Sequence, residues 1–298
     1  MDGIEKKPVT GLKSSRIDLD NGWFAKVMLC GPDHGGISIE QWQRCLSDPR
    51  KLLEDAQRVI KTDGRTQVIV KPIKLADNSL PVAIKSENLR PGFKGFFRSL
   101  RTAKGIRNFD TAEKLLTNGI PAVFPVAAIY RKQGMRITQS IYITGYADSS
   151  NDMQTFVREN IGKIDFSLPH IKRQFCFQIA EILAALDKCS LWHRDAKAGN
   201  FLVIPTKNGD FKVALVDMDG IKHYLIPTAK RRYFAFTKLG AGLIWHRGIN
   251  LTDYLRSFRI YCNLCKVDKQ KSDNIFRRLC RSAIALRLLT FAGSAIRK

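Results

Sequence analysis

The stretch LWHRDAKAGNFLVI, residues Leu191–Ile204, sets a dense group of polar side chains between two apolar segments. Before it, residues Ile171–Cys189 carry apolar side chains on one face at helical spacing, which predicts an amphipathic helix. After it, residues 201–220 predict a strand, an Asn208-Gly209 turn and a second strand. So many polar residues between a helix and a strand favour a reaction centre over a simple connection.

The part of the chain before this stretch is rich in predicted strands. Residues 56–73 predict two strands joined at Asp63-Gly64, the pattern of a hairpin. Residues Lys104–Pro121 predict a helix that is ended by Asn118-Gly119. Three further strands are predicted at Leu80–Lys85, Ala122–Tyr130 and Arg136–Tyr146.

These elements predict an α+β protein of two lobes, with a β-rich N-lobe and a mostly helical C-lobe. The pattern changes from strand to helix near Tyr146–Asp152. We therefore predict an N-lobe at residues 56–146 and a C-lobe with a basic helical end at residues 147–298. Residues 1–55 are predicted to be a partly irregular N-terminal extension, with an amphipathic stretch at Ile39–Leu53.

The composition is that of a folded, basic protein. The 298 residues are 44% hydrophobic and 26% charged, which argues against wholesale disorder. A net charge of +23 predicts attraction to polyanions, but charge alone does not choose among nucleic acid, anionic membrane, glycolipid and nucleotide. Seven scattered cysteines favour a reducing compartment over a disulfide framework. No secretory signal or convincing membrane span is predicted.

Three separated motifs supply the groups that phosphoryl transfer needs. The reaction requires an acid beside the attacking hydroxyl, oxygen ligands for Mg²⁺ and a cation on the nucleotide phosphates. The motifs are Val82-Ala83-Ile84-Lys85 on a predicted strand, His193-Arg194-Asp195 with Asn200 after it, and Asp217-Met218-Asp219-Gly220 at the end of an apolar strand. The same motifs in the same order mark protein kinases, and the ordered set is far more specific than His-Arg-Asp alone.

The chain resembles the lipopolysaccharide kinases, protein-kinase-like enzymes that include the Kdo and heptose kinases of the lipopolysaccharide core. The resemblance runs from about Ala56 to Tyr261. Beyond the kinase motifs it is carried by NGIPAVFPVAA (118–128), YITGYADSSNDMQTFV (142–157), VDMDGIK (216–222) and TKLGAGLIWHRGINLTDYLRSFRIY (237–261). The resemblance implies a bilobal protein-kinase-like fold. It also implies transfer of the γ-phosphoryl group of ATP, with Mg²⁺, to a sugar hydroxyl of lipopolysaccharide core or a related glycolipid.

The resemblance also implies a role for each candidate site residue. Asp195 would orient the acceptor hydroxyl, Lys197 would neutralise the transferring phosphoryl group, and Lys85 would bridge the α- and β-phosphates of ATP. Asn200 and Asp217 would hold Mg²⁺. The remaining implied contacts are Asp219, which supports the metal shell or the following loop, and the backbone of Ile143, Thr144 and Tyr146, which faces adenine.

Two departures from the protein-kinase pattern concern the nucleotide phosphates. The loop Lys61–Gln67 has one glycine where protein kinases have three, so Arg65 or Thr66 is expected to help there. Asn108 falls where a helix glutamate should pair with the strand lysine. The candidates to replace that glutamate are Asp110 and Glu113.

The sequence favours a small or glycan acceptor, because no A-P-E motif and no activation loop follow the metal aspartate. Two alternatives remain open. One is a protein Ser/Thr kinase, for which Lys197 after His-Arg-Asp is a mild argument. The other is a pseudokinase or ATP-binding scaffold with weak or no catalysis, because of the glycine-poor loop and Asn108.

The C-terminal quarter is strongly basic, with 17 Lys and Arg against 3 Asp in residues 221–298. Residues 274–298 mix arginines with apolar residues. This pattern is typical of a helix on an anionic membrane, or of a helix packed on the lobe with solvated arginines.

No nucleic-acid recognition module is evident, and a cytoplasmic enzyme, peripheral on the inner membrane, is expected. Gly240-Ala241-Gly242 is interpreted as a helix contact and Cys262/Cys265 as thiols without zinc.

Overall fold

The computed structural model describes most of the chain and places it in two compact units. The described residues are 8–30, 36–75, 78–89, 100–148, 150–161, 169–206, 210–225, 229–243, 246 and 248–295. The units are Met1–Asp148 and Ser149–Lys298. The first unit is rich in strands and the second is mostly helical, which confirms the predicted α+β class.

The first unit is built on one seven-stranded antiparallel sheet. Its strands are β1 (Lys13–Asp18), β2 (Trp23–Cys30), β3 (Arg58–Asp63), β4 (Thr66–Leu75), β5 (Asn78–Asn88), β6 (Pro125–Gln133) and β7 (Arg136–Gly145). They lie in the order β1-β2-β6-β7-β5-β4-β3. The five strands predicted from residue 56 onward are confirmed, including the hairpin that turns at Asp63-Gly64.

The first two strands of this sheet were not predicted, so the expectation of an irregular N-terminal extension is wrong for Lys13–Cys30. These residues form a hairpin whose second strand pairs with β6 inside the sheet. Asn21 and Gly22 join the strands with φ values of 58° and 75°, the left-handed pair that a type I′ turn requires. Because β2 sends side chains into the cores on both faces of the sheet, its sequence WFAKVMLC is nearly all apolar and lacks clear alternation.

Helix α1 (Ile39–Cys45) covers one face of the sheet and occupies the predicted amphipathic stretch. It begins with a capping box between Ser38 and Gln41, in which each side chain accepts from the other's backbone N–H. Trp42 is fully buried against the sheet, and its indole N–H donates to the Met28 carbonyl at 2.9 Å. This hydrogen bond ties α1 to β2.

Helix α2 (Lys104–Thr117) covers the other face and confirms the predicted helix. It packs on apolar side chains of β6 and β7. At its first turn the Gly105 N–H donates to the Ser140 hydroxyl at 2.8 Å. A Cβ atom at Gly105 would lie 2.6 Å from the Ile141 carbonyl oxygen, so glycine is required where the helix meets the sheet.

The second unit combines helices with two small antiparallel sheets. Its strands are β8 (Asn151–Asp152), β9 (Leu191–His193), β10 (Phe201–Pro205), β11 (Phe211–Leu215) and β12 (Ile221–His223). Its helices are α3 (Met153–Phe156), α4 (Pro169–Lys188), α5 (Ala229–Leu243), α6 (Leu251–Leu264) and α7 (Lys269–Ala295). The predicted helix before the polar loop is confirmed as α4. The predicted Asn208-Gly209 turn lies outside the described residues.

An aromatic cluster joins the last three helices. Its members are Tyr233 and Phe236 of α5, Tyr254, Phe258 and Tyr261 of α6, and Phe276 of α7. These large side chains bury the apolar face of each helix. Within the described part of the chain, no helix is both long enough and apolar enough to cross a membrane.

Two glycines let α5 approach its neighbours on opposite sides. A Cβ atom at Gly240 would lie 2.9 Å from the Tyr254 ring on α6. A Cβ atom at Gly242 would lie 3.6 Å from the Ala198 nitrogen in the polar loop. The interpretation of Gly240-Ala241-Gly242 as small residues at a helix contact is confirmed, and the contact fixes α5 against the loop.

Candidate active site

In the second unit, the loop after β9 is tied to the turn before β12. The two strands pair with His193 opposite Ile221. One residue further on, the Arg194 N–H donates to the Gly220 carbonyl at 2.8 Å. The sequence motifs around Asp195 and Asp217 are therefore held together, although a whole hairpin separates them along the chain.

His193 is a buried support for this loop. Its Nδ1 accepts a hydrogen bond from the Asp195 N–H at 3.2 Å, and its ring stacks near Phe201 with 6.3 Å between the centroids. Burial lowers the pKa of His193 to about 4, although the charges of Asp217 and Asp195 act in the opposite direction. At neutral pH the imidazole is therefore uncharged and orients the backbone of Asp195.

Asp195 presents a partly exposed carboxylate between two lysines. Its side chain is 43% exposed, with Lys197 Nζ 3.6 Å from Oδ2 and Lys238 Nζ 3.8 Å from Oδ1. The Asp195 carbonyl accepts from the Lys197 N–H at 2.8 Å and from the Asn200 side-chain amide at 2.6 Å. The backbone of Asp195 is thus fixed, while its carboxylate is available to a ligand.

Asn200 and Asp217 lie at the same end of the β10–β11 hairpin. The first pair of this ladder joins Phe201 and Leu215, and the Val216 N–H donates to the Asn200 carbonyl at 3.1 Å. Asp217 caps the 3₁₀ turn Met218–Gly220 through its Oδ1 atom, which accepts from the Asp219 N–H at 3.4 Å. The register brings the predicted metal ligands Asn200, Asp217 and Asp219 together.

The donor chemistry of this pair fits Mg²⁺. The buried Asn200 uses its side-chain nitrogen on the Asp195 carbonyl, so the amide oxygen is the atom left for a cation. Together with the Asp217 carboxylate it offers the hard oxygen ligands that Mg²⁺ prefers. These two residues could therefore hold the metal.

In the first unit, Lys85 lies half-buried on β5, opposite Val68 of β4 and Tyr142 of β7. Tyr142 is in turn opposite Ala128 of β6, and Ala128 is opposite Lys26 of β2. Residues directly opposite each other share a face of an antiparallel sheet. Lys85 and Lys26 therefore lie on the face that carries α2.

Asp110 and Glu113 were predicted to replace the missing glutamate as the ion-pair partner of Lys85. Both carboxylates are held by Lys26 instead. Lys26 Nζ lies 2.8 Å from Asp110 Oδ1 and 2.7 Å from Glu113 Oε2. Burial alone would lower the pKa of Lys26, but the hydrogen bonds and charges of the two acids outweigh it and raise that pKa. The prediction is corrected because i,i+3 side chains of α2 point to β2, a strand that the sequence analysis missed.

A second ion pair ties the other end of α2 to the sheet. Lys104 Nζ lies 2.7 Å from Glu87 Oε2, and Glu87 is two residues beyond Lys85 on the same face of β5. Asn108, between the two ion pairs, is buried in α2. The helix is thus fixed to β5 at its start and to β2 near its end.

The turn between β3 and β4 carries the predicted phosphate-loop residues. Arg65 is exposed, and its carbonyl accepts from the Asn88 N–H at 3.0 Å. The Thr66 N–H donates to Asp63 Oδ1 at 3.3 Å. The Asp63 carboxylate therefore closes the turn and leaves the Arg65 side chain exposed at its tip.

The predicted adenine contacts lie at the end of β7. Ile143 and Thr144 take part in ladders with both β5 and β6. The Gly145 N–H donates to the Phe124 carbonyl at 2.9 Å, and the Tyr146 N–H donates to the Pro81 carbonyl at 3.0 Å. Two of the backbone donors in this stretch are therefore used inside the first unit.

Sequence reasoning missed Lys238, the second lysine at Asp195. It lies on α5, on the same face as Arg231, Phe234 and Gly242, because these positions are spaced three and four residues apart. That spacing was the available signal. It was obscured because the apolar residues of the opposite face, such as Phe236, dominate the helix sequence.

Comparisons with known proteins give one family match and similar solved structures. Residues 93–239 match the model of the lipopolysaccharide kinase (Kdo/WaaP) family. This segment, just under half of the chain, is similar to that family. No curated protein matches the chain. A solved structure described as WaaP in complex with acyl carrier protein is 16% identical, with a TM-score of 0.57 over 83% of this chain and 97% of that one. A solved kinase domain is 18% identical over 71% of this chain and 63% of that one, with a TM-score of 0.39.

The match to the lipopolysaccharide kinase family, together with the likeness to WaaP, identifies this chain as an enzyme, a phosphotransferase with an alcohol group as acceptor. The likeness to the WaaP structure confirms the predicted protein-kinase-like fold. The matched segment contains every candidate residue of the second unit, including Asp195, Asn200 and Asp217. Lys85 and Arg65 lie outside the matched segment. The nucleotide-binding roles predicted for these two residues therefore depend on the sequence motif and the sheet geometry.

Proposed function

We propose that this lipopolysaccharide kinase transfers the γ-phosphoryl group of ATP to a sugar hydroxyl of the lipopolysaccharide core or a related glycolipid, at the cytoplasmic face of the inner membrane. The observation that carries the proposal is the half-exposed Asp195 carboxylate, held beside Asn200 and Asp217 by a fixed loop. We take residues 56–146 and 147–298 as the two kinase lobes. The strands β1 and β2 belong to the sheet of the first lobe.

In the proposed reaction, Asp195 accepts a hydrogen bond from the acceptor hydroxyl and takes its proton as the new O–P bond forms. The bond between the γ-phosphorus and the bridging oxygen breaks, and ADP leaves. Lys197, 3.6 Å from the same carboxylate, neutralises the transferring phosphoryl group. Because the loop holds the two groups side by side, Asp195 acts on the acceptor hydroxyl while Lys197 acts on the oxygen atoms of the neighbouring phosphoryl group.

The proposed nucleotide contacts divide between metal ligands and direct contacts. Mg²⁺ would supply positive charge at the phosphate oxygens, and Asn200 and Asp217 would hold it with support from Asp219. The direct contacts would come from Lys85 and from Arg65 or Thr66 at the phosphates, and from the backbone of Ile143, Thr144 and Tyr146 at adenine. Because the N–H groups of Gly145 and Tyr146 are used in the first unit, we assign the carbonyl oxygens of this stretch to adenine.

The test is transfer of label from ATP to a deacylated core oligosaccharide in the presence of Mg²⁺. We expect labelled oligosaccharide with the wild-type protein and none with Asp195→Asn. A generic basic protein is offered as a competing acceptor. Transfer to that protein alone would make the chain a protein Ser/Thr kinase. A Mg²⁺-dependent rise in Tm with ATP, without transfer to either acceptor, would make it an ATP-binding scaffold.

We also propose that α7 attaches the enzyme to an anionic membrane surface. Ile284, Leu288 and Leu289 are exposed on this helix, and the exposed Arg277, Arg278 and Arg281 lie on the preceding turns. Apolar side chains next to arginines complement the interior and the head groups of an anionic bilayer. The exposed leucines support this surface over a helix that is packed only on its own lobe.

Co-sedimentation with vesicles tests the membrane proposal. We expect binding to vesicles rich in phosphatidylglycerol, little binding to pure phosphatidylcholine, and loss of binding in the Leu288→Ser/Leu289→Ser variant. Leu225→Ser is the matched control, because Leu225 is also exposed but lies outside α7. Equal binding by the double variant and the control would refute the assignment of α7.

A further inference from the structure

One face of α5, together with Trp192 of β9, forms a row in which two cations flank two aromatic rings, and the row ends at Asp195. We call Trp192, Arg231, Phe234 and Lys238 the α5 ridge. The Arg231 guanidinium lies 5.9 Å from the Trp192 ring, and the Trp192 and Phe234 rings meet edge to face with 6.0 Å between their centroids. Lys238 Nζ lies 5.7 Å from the Phe234 ring and 3.8 Å from Asp195 Oδ1.

The ridge is held rigidly but remains accessible. On the buried faces of α5, Phe236 and Leu239 are packed in the core, and Gly240 contacts the Tyr254 ring. Arg231 is exposed, and the other three members of the ridge are half-buried. A rigid, accessible pair of aromatic rings is what a sugar ring needs for stacking, because little ordering is left to occur on binding.

The charges at Asp195 divide between its two oxygen atoms. Lys197 contacts Oδ2 at 3.6 Å, and Lys238 contacts Oδ1 at 3.8 Å from the side of the ridge. Both distances exceed those of a hydrogen-bonded ion pair, so neither ammonium group is saturated by the carboxylate. Within the described residues Lys238 Nζ makes no hydrogen bond, and its side chain is 30% exposed.

We propose that the α5 ridge is the acceptor subsite and that it selects a sugar bearing a carboxylate or phosphate next to the accepting hydroxyl. The sugar ring packs on Trp192 and Phe234, and Lys238 binds the anionic group while Asp195 holds the hydroxyl. Arg231 extends the positive surface to the next acidic residue of the glycan. This inference rests on the proposed function and deepens it, because it assigns the acceptor side of the reaction to α5.

If the α5 ridge is the acceptor subsite, substitutions of Lys197 and Lys238 should change different kinetic constants. If Lys197 acts on the transferring phosphoryl group, its loss lowers kcat. If Lys238 binds the acceptor, its loss raises the acceptor KM and leaves the KM for ATP unchanged. A charge-assisted hydrogen bond to the anionic group predicts a rise of about 10- to 100-fold.

The experiment compares an acidic core oligosaccharide with the same oligosaccharide after carboxyl reduction and dephosphorylation. For the acidic acceptor, Lys238→Met should raise KM, Lys238→Arg should restore it in part, and Phe234→Leu should also weaken binding. For the neutral acceptor, wild type and Lys238→Met should have the same KM. Lys212→Met is the matched control, because Lys212 is exposed on β11 away from the ridge. An equal loss on both acceptors would overturn the proposal, since Lys238 would then only support Asp195.

A binding measurement separates this inference from the proposed function. The Kd of the acidic oligosaccharide is measured calorimetrically for wild type and for Lys238→Met, without ATP. A weaker Kd in the variant with no transfer by the wild type would end the proposed function and leave the ridge as a binding site. An unchanged Kd would overturn the ridge, whatever the transfer assay gives.

Discussion

Each unit contains a cluster of three charged groups, and the two clusters are built in opposite ways. In the first unit a single lysine, Lys26, holds two carboxylates at 2.8 and 2.7 Å, and its side chain is only 14% exposed. In the second unit a single carboxylate, that of Asp195, lies between two lysines at 3.6 and 3.8 Å and is 43% exposed. The first cluster has short contacts around a largely buried lysine, although its carboxylates are 47% exposed at Asp110 and 22% exposed at Glu113. The second has long contacts and is open to solvent.

The difference indicates which cluster supports the fold and which serves a ligand. Short contacts from Lys26 satisfy the carboxylates of α2 and fix the helix on the sheet, so little charge is left for a substrate. Long, exposed contacts contribute little to stability, and they keep the Asp195 carboxylate and both ammonium groups available. Substitutions at the two clusters should therefore separate activity from stability.

The largest effect should come from Asp195→Asn. An amide cannot take the acceptor proton, so kcat should fall by about 10²- to 10⁴-fold. Tm should change little, because the carboxylate is partly exposed and its ion pairs are long. Steady-state transfer assays and thermal melts on the same preparations check both parts.

Asp210→Asn is the control for that loss of charge, because Asp210 is an exposed acid of the same unit. Its kcat should equal that of the wild type. If Asp195→Asn lowered Tm as strongly as it lowered kcat, Asp195 would be a structural residue and the contrast between the clusters would fail.

The next effect is a loss of stability at acid pH that originates at His193. Its pKa is about 4 in the folded chain and 6.5 ordinarily, so between these values the unfolded chain binds a proton that the folded chain does not. The free energy of unfolding should therefore fall as pH is lowered from about 6.5 to 4, by up to about 3 kcal/mol.

Urea titrations of His193→Asn isolate this contribution, because the Asn amide oxygen can accept from the Asp195 N–H without titrating. The acid-induced loss should be smaller in His193→Asn than in the wild type. It should be unchanged in His223→Asn, a control at an exposed histidine of β12. Identical pH profiles for the wild type and both variants would remove His193 as the buried support of the loop.

How much could be predicted from sequence depended on how far apart the interacting residues lie in the chain. Asp195, Lys197 and Asn200 are close neighbours, so the sequence itself placed them in one loop, and the order of this loop with Lys85 and Asp217 indicated a reaction centre. Lys26 and Glu113 are 87 positions apart, and their contact exists because β2 pairs with β6 next to the strands that α2 covers. No local pattern records such a pairing.

The two other misses have physical reasons of the same kind. Asn21-Gly22 was a readable hairpin signal, but the strand after it is covered on both faces and shows no alternation. Lys238 reaches Asp195 only because α5 packs on the polar loop through Gly242. The sequence therefore predicted which residues of the second unit lie together better than it predicted the ion pairs of the first.

A smaller effect is expected at Gly220, beneath the open cluster. A Cβ atom there would lie 2.5 Å from Cε1 and 2.7 Å from Nδ1 of His193, so the ring must move away from the Asp195 N–H. Gly220→Ala should lose about 2 kcal/mol of stability and also lower kcat. Chemical denaturation and transfer assays would show the two changes together.

Gly199→Ala is the matched control in the same loop, because nothing lies within 4 Å of a Cβ atom at that position. It should keep both stability and kcat. If Gly220→Ala behaved like Gly199→Ala, the His193 ring would have room to move, and the loop would not be the rigid support described above.

The smallest effect tests the closed cluster directly. Lys26→Met removes the ammonium group from Asp110 and Glu113, and from its place over the Phe109 ring, but keeps an apolar side chain of similar length. We expect a loss of about 1 to 2 kcal/mol of stability, because two carboxylates are left side by side without a cation. Denaturant titration should show no comparable loss for Lys13→Met, which removes an exposed lysine from β1.

Adding Glu113→Gln to Lys26→Met should recover part of the loss, because it removes one of the two repelling charges. In transfer assays kcat should stay near the wild-type value. A fall in kcat without a fall in stability would mean that Lys26, like the lysines at Asp195, acts on a ligand.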